Sequence, residues 1–321
     1  MPVCERDPWR NQYFEAVPCP GGVLIPTDDP DSWSWYPDHR WIYDKLRVAM
    51  SQGLHCGPHG VLPECFPVFS KPMINLKGMG IGSRIIRTAA EFDQCYTPGH
   101  MWMPFLTGAH ISTDCAVEDG EVKWSRQATG KTWDDGMFEY WTIHADGEPA
   151  VDRVLADWVS RNMGGYTGMM NFETIDGIII EAHLRFADQW CDLYGEGWVE
   201  ALVRLYRDGR WLFADNDRRD GYSVPLFAGH GRRYFHPSTE HQAKVLAMPG
   251  VSSLQITFHE NKPPEDHPMP PGGFRVGIVN ATDLEHGFAA RRKLAEGFPA
   301  EAILWPEENS ATRAHGAAHR A

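Results

Sequence analysis

The stretch from Asn171 to Arg185, NFETIDGIIIEAHLR, constrains this chain more than any other segment. Two short apolar runs flank Asp176-Gly177, a dipeptide suited to the positive-φ positions of a tight hairpin turn. Glu173 lies on the first arm and Glu181 on the second, each beside residues that favour burial. A carboxylate inside a strand pattern is costly to bury unless it is paired or metal-bound. Two of them on facing arms, followed by His183 and Arg185, look like a divalent-cation site. The same residues also allow an ordinary exposed hairpin with polar alternation, so the rest of the chain has to decide.

Length and composition bound the answer. At 321 residues, with 42% hydrophobic and 23% charged residues, the chain can bury a sizeable core in one large or two medium domains. A formal net charge of -13 argues against a nucleic-acid backbone or an anionic membrane as the main partner, though it permits a local basic pocket. Seven scattered cysteines without a CxxC pair favour reduced thiols. With no apolar leader and no run approaching a membrane span, a cytoplasmic protein is expected.

Along the chain, residues 1–40 are rich in Pro, Trp and Asp and read as a loop-rich arm, with a short strand at Gly22 to Ile25. A helix is expected from Arg40, ended by Gly53, and a second over TAAEFDQCY with Thr88 as N-cap and Glu91 in the capping-box position. FPVFSKP, MWMPFL and AHISTDCAV read as strands, and Asp119-Gly120 marks another hairpin. Residues 149–163 carry a helical period with Val151, Val154, Leu155, Trp158 and Val159 on one face. GEGWVEALVRLYRDG is a further amphipathic helix. Residues 222–280 return to short strands, RRYFHP among them, before a final helix capped by Thr282. The tail 301–321 has the composition of a flexible segment.

Several residue types upstream of the hairpin could serve a phosphorylated ligand. Lys71 ends an apolar strand, from which a lysine can reach a phosphate in a cleft; an isolated lysine there would more simply snorkel to the surface. LKGMGIGS places Gly78, Gly80 and Gly82 at alternate positions beside Lys77, Ser83 and Arg84. Such glycines let backbone N–H groups approach phosphate oxygens. The spacing is neither GxGxxG nor GxxxxGK[ST], which excludes the Rossmann and P-loop readings. His55, Cys56 and His59 have metal-binding types but lack a second pair, and Ser112 has no triad partners nearby in sequence.

Order adds specificity. Asp44-Lys45, then PVFSKP, LKGMGIGS, FLTGAHISTD and finally NFETIDGIIIEAHLR follow one another over residues 41–205. This succession resembles the ATP-grasp superfamily, in particular the branch of biotin carboxylase and the carboxylate–amine ligases. The resemblance implies an α+β fold with two subdomains gripping a nucleotide. It divides the chain into a truncated N-terminal arm (1–40), the ATP-grasp core (41–205), a small C-terminal β-rich closing subdomain (206–300) and a tail.

It also implies roles. Lys45 and Lys71 would contact the phosphates of ATP; Lys77, Gly78, Gly80, Gly82 and Ser83 would close over them. Trp102, Met103 and Phe105 would border the adenine. Glu173, Glu181 and His183 would hold Mg²⁺ or Mn²⁺, and Arg185, with Lys71, would act in catalysis. His183 stands where the family usually has asparagine, Met103 or Pro104 replaces the usual hinge glutamate, and His110 occupies a position often acidic. The implied activity joins a small carboxylate, activated as an acyl phosphate, to an amine. Alternatives are a kinase using the same site, or a nucleotide-binding protein without turnover. A homodimer is a further expectation, because the short arm could need a neighbour to complete the acceptor pocket.

Overall fold

The computed structural model describes residues 3–5, 7–18, 20–76, 80, 82–133 and 136–306. The chain divides into two compact units, residues 1–129 with 144–218, and 130–143 with 219–321. The N-terminal arm belongs to the first of them. Among the described residues no helix is long and apolar enough to cross a membrane.

The first unit contains an antiparallel succession of strands in which Ile178–His183 pairs with Gly168–Ile175, that strand with His110–Glu118, and that one with Glu121–Thr132. Both Asp-Gly turns form as expected. Asp119 and Asp176 have φ of 47° and 51°, and Gly120 and Gly177 follow at 77° and 73°. These are the paired positive values a two-residue hairpin needs to match strand twist.

One face of this sheet is covered by the helix Pro149–Asn162, which buries Val151, Leu155, Trp158 and Val159 against Phe172, Ile179 and Ala182. Val154, expected on that face, is 40% exposed. It lies at the edge of the apolar stripe that Val151, Leu155, Trp158 and Val159 form.

A smaller antiparallel sheet in the same unit runs Gly57–Pro58, His100–Pro104, Val68–Pro72, Arg84–Ile86. Thr88 caps the helix Ala89–Gln94 by accepting from Glu91 N–H, and Glu91 accepts in turn from Arg87 N–H at 2.6 Å. The reciprocal half of the capping box thus reaches one residue further back than the motif requires.

The expected helix at Arg40 breaks in two: a 3-10 turn over Arg40–Tyr43, then an α-helix Lys45–Ser51. Asp44 separates them because its carboxylate accepts from the N–H groups of Leu46 and Arg47 at 3.0 and 3.3 Å. Asp44→Ala is therefore expected to lower the stability of the first unit by about 1 kcal/mol, read as a shifted urea midpoint at unchanged slope.

In the second unit, Phe138–Ile143, Gly221–Ala228, Phe274–Ala281 and Val251–Gln255 pair antiparallel in that order. Leu294 and Ala290 of the helix Leu284–Ala295 pack into the core that Leu226, Val276 and Val279 help build. Three expectations are corrected here. RRYFHP is not a strand; the chain instead forms an unexpected helix at Thr239–Leu246, capped by Ser238. The cap of the last helix is Asp283, which accepts from His286 N–H at 2.9 Å, and not Thr282. The third concerns the arm of the first unit, which hides a helix, Asp29–Trp35, capped by Asp28 with Pro30 in its first turn. It lacks an apolar period because little of it is buried, so only its cap residues signalled it.

Candidate active site

Side chains alternate along a strand, and residues paired across an antiparallel ladder share a face. The register pairs Glu173 with Glu181 and Asn171 with His183 across the hairpin, and Asn171 with Asp114, Glu173 with Ser112 and Ile175 with His110 on the other side. One face of three strands is thus a row of polar side chains. Phe172 and Ala182 point the other way, into the core under the helix Pro149–Asn162. The alternation is what separates carboxylates from core within one hairpin.

Each carboxylate meets a cationic group. Lys45, the first residue of its helix and buried, places Nζ 2.8 Å from Glu181 Oε1. His110 Nε2 lies 3.2 Å from Glu173 Oε2. Burial pushes the Glu173 carboxyl up, but the His110 hydrogen bond and charge outweigh it and hold the group low. The partner effect on His110 is the mirror image: burial pushes it down, and Glu173 raises it above its ordinary value.

Lys71 reaches the same place from the small sheet. The hairpin register shifts between Glu173 and Thr174 and passes over Ile180, whose carbonyl accepts from Lys71 Nζ at 2.6 Å. A bulge of this kind re-aims one backbone group out of the ladder. Burial, aided by the neighbouring Lys45 charge and opposed by Glu181, pushes the Lys71 ammonium down to about 8.

The far end of the row is tied to the N-terminal arm. Asp29, 5% exposed, accepts from Arg185 Nε at 3.0 Å and Nη2 at 3.3 Å, and lies 3.0 and 3.1 Å from His183 Nδ1 through its two oxygens. Tyr43 donates to the same carboxylate at 3.2 Å. Burial pushes Asp29 up, yet Arg185 and then His183 hold it well below the usual carboxylate range. His183 Nε2, on the ring's other side, is 3.8 Å from Glu181 Oε1. Asp114 is also buried, accepting from Asn171, Tyr194 and the Ala187 N–H, so that it secures the segment just after Arg185.

Lys45, Lys71, Glu173, Glu181, His183 and Arg185 therefore converge. The residues expected near adenine divide. Met103 shares a buried apolar cluster with Ala49 and Met101, flanked by Phe69, Ile178 and Ile180, on the face of the small sheet that carries Lys71. Phe105 is 38% exposed just beyond the strand. Trp102 is a correction: alternation turns it to the opposite face, where it packs with Val68, Ile86 and Phe92 and donates from Nε1 to Val61 O at 2.7 Å. Its side chain cannot serve the Lys71 face.

Of the glycine loop, Lys77 and Gly78 lie outside the described residues. Gly80 and Gly82 have φ of 60° and 81°, and Ser83 N–H donates to Gly80 O at 3.1 Å. The left-handed backbone there is what the glycines permit. Asp29 and Tyr43 were not foreseen, and no local signal could have found them, since each acts across long sequence separations.

Among the described residues no three His, Cys, Asp or Glu side chains are gathered closely enough to hold a metal by themselves. What the hairpin offers is two facing carboxylates and an imidazole. The carboxylates fit a hard divalent ion that takes its remaining ligands from phosphate oxygens and water, and the imidazole favours Mn²⁺ over Mg²⁺.

No family model matches the sequence, and no curated protein matches it. The structure, by contrast, is similar to several solved enzymes. Phosphoribosylamine–glycine ligase from Thermotoga maritima superposes with a TM-score of 0.62 at 13% identity, covering 91% of this chain and 87% of that one. Biotin carboxylase from Campylobacter jejuni gives 0.58 at 12% identity, over 89% and 76%. L-amino acid ligase from Bacillus licheniformis gives 0.56 at 12%, over 81% and 71%. At these identities the likeness shows the fold: an α+β chain with the ATP-grasp architecture.

Proposed function

We propose that this chain is an ATP-dependent ligase that activates a small carboxylate as an acyl phosphate and joins it to an amine. The observation that carries the reading is the direct register of Glu173 with Glu181, on the face where Lys45 and Lys71 also arrive. The similarity to solved ligases supports it.

In this reading Lys45 and Lys71 turn from Glu181 and the Ile180 carbonyl to the phosphates of ATP. Gly80 and Gly82 offer backbone N–H groups to the terminal phosphate, and Ser83 its hydroxyl. Glu173, Glu181 and His183 would hold Mg²⁺ or Mn²⁺, which neutralises charge on the phosphates when bound. Met103 and its apolar neighbours floor the adenine slot. Arg185, aimed by Asp29, faces charge developing on the transferred phosphoryl group and the acyl phosphate. Phosphoryl transfer asks mainly for positioning and charge neutralisation, and these residues supply both.

An ADP-release screen of amino acids and small carboxylic acids, with Mg²⁺ or Mn²⁺, tests it. A ligase releases ADP and phosphate only when carboxylate and amine are both present. A kinase would leave a stable phosphorylated product, and ATP binding with no turnover under any pairing would reject catalysis altogether.

Lys71 provides a pH test. Its charged form is the one that pairs with phosphate, so ATP affinity should be full well below pH 8 and fall as pH rises through about 8. Calorimetric titration on either side of that value should show the fall in the native protein and not in Lys71→Arg, whose charge persists.

A further inference from the structure

We propose that Asp29, delivered by the N-terminal arm, is a positioning residue: it keeps the His183 proton on Nδ1, so that Nε2 faces Glu181, and it aims the Arg185 guanidinium. The inference rests on the reading of this face as a metal–nucleotide site.

The proton assignment follows from who can donate. Nδ1 lies 3.0 and 3.1 Å from the two oxygens of Asp29 and 3.3 Å from Arg185 Nη2. An ionised carboxylate only accepts and a guanidinium only donates. An unprotonated Nδ1 would set its lone pair against two carboxylate oxygens at hydrogen-bond distance. With the proton on Nδ1, Asp29 receives His183, Tyr43 and two guanidinium N–H groups, which matches the roughly four lone-pair directions of a carboxylate. Arg185 then takes its geometry from Asp29, not from the imidazole.

The consequence falls on Nε2. At 3.8 Å it is too far from Glu181 Oε1 for a hydrogen bond. Two atoms that ligate one cation, each about 2.1 Å from it, lie about 3–4 Å apart. A carboxylate behind an imidazole also raises the basicity of the far nitrogen and fixes the ring, and losing such a partner typically costs about 10–100-fold in metal affinity.

The arm is held in place to do this. Arg10 pairs with Asp188, and the Phe14 ring meets Phe186 edge-on at 6.2 Å, both just past Arg185. A segment that precedes the helix Lys45–Ser51 thus fixes one end of the hairpin.

Two measurements test the role. In protein labelled with ¹⁵N-histidine, the His183 signal, identified by its absence in His183→Asn, should report a proton on Nδ1. Mn²⁺ binding with a non-hydrolysable ATP analogue, followed by electron paramagnetic resonance, should weaken about 10-fold in Asp29→Asn. In a His183→Asn background the same change at Asp29 should cost much less Mn²⁺ affinity, because the larger part of its effect passes through the imidazole and only the part through Arg185 remains.

An Nδ1 without a proton in the native protein would overturn the proposal, as would an equal loss of Mn²⁺ affinity in both backgrounds. The first of these needs no variant at Asp29 and so stands even if Asp29→Asn does not fold. A native protein that binds no Mn²⁺–nucleotide at all would overturn the site reading itself, whatever the tautomer.

Discussion

Glu181→Gln should lower metal-dependent ADP release by about 10²–10³-fold, the usual loss when one preorganised electrostatic contact to a reacting phosphoryl group is removed. Glutamine keeps the shape and the hydrogen-bonding reach of glutamate but not its charge. It leaves Lys45 Nζ, now 2.8 Å from Glu181 Oε1, without its counter-ion, and takes one anionic ligand from the metal. Glu173→Gln should act alike, and it also releases His110. The double variant should fall little further than either single one, because groups that act on one ion are not additive. Steady-state ADP release, measured once a productive substrate pair is in hand, decides the matter. Unchanged turnover in both single variants would mean that the carboxylate pair does not handle the phosphates.

Arg185→Met carries the second large effect, and it is felt in stability as well as in rate. Asp29 is 6% exposed at its side chain and Arg185 21%. Removing the guanidinium leaves a buried carboxylate facing only His183 and Tyr43. Breaking a buried ion pair from one side costs about 3–5 kcal/mol, which urea unfolding followed by tryptophan fluorescence would register.

The pH dependence has a definite sign. Asp29 titrates below its unfolded value in the native protein, with Arg185 and His183 outweighing the effect of burial. Its contribution is therefore fully present above the ordinary carboxylate pKa of about 4 and is lost as pH falls below that value. In Arg185→Met the native-state pKa of Asp29 rises toward the unfolded one, so the gap in stability from the native protein should be widest at neutral pH and close in acid. A gap that is constant with pH would show that the lost stability comes from packing.

Some of this was legible early. The Asp-Gly turns were readable because positive φ at two successive positions restricts the residues that can occupy them. The hairpin arms were readable because period-two alternation is a local property. The same alternation could have excluded Trp102: counted from Met101 and Met103, it falls on the other face of its strand. The helix Asp29–Trp35 was missed because its caps are correct while its apolar stripe is too short to show a period. Asp44 was visible as a residue type favoured at an N-cap, yet only the bonds to Leu46 and Arg47 show that it divides the expected helix.

By itself, then, the sequence determined the hairpin, its two facing glutamates and the order of lysine strand, glycine loop and carboxylate arms. These are set by local geometry and by short-range periodicity. Tertiary structure alone decided which cations meet those carboxylates, and that an arm residue holds His183 and Arg185. Asp29 and His183 are 154 residues apart, and Lys71 and Ile180 are 109 apart. Pairings at such range depend on how separate elements pack, and no pattern within either segment encodes its partner.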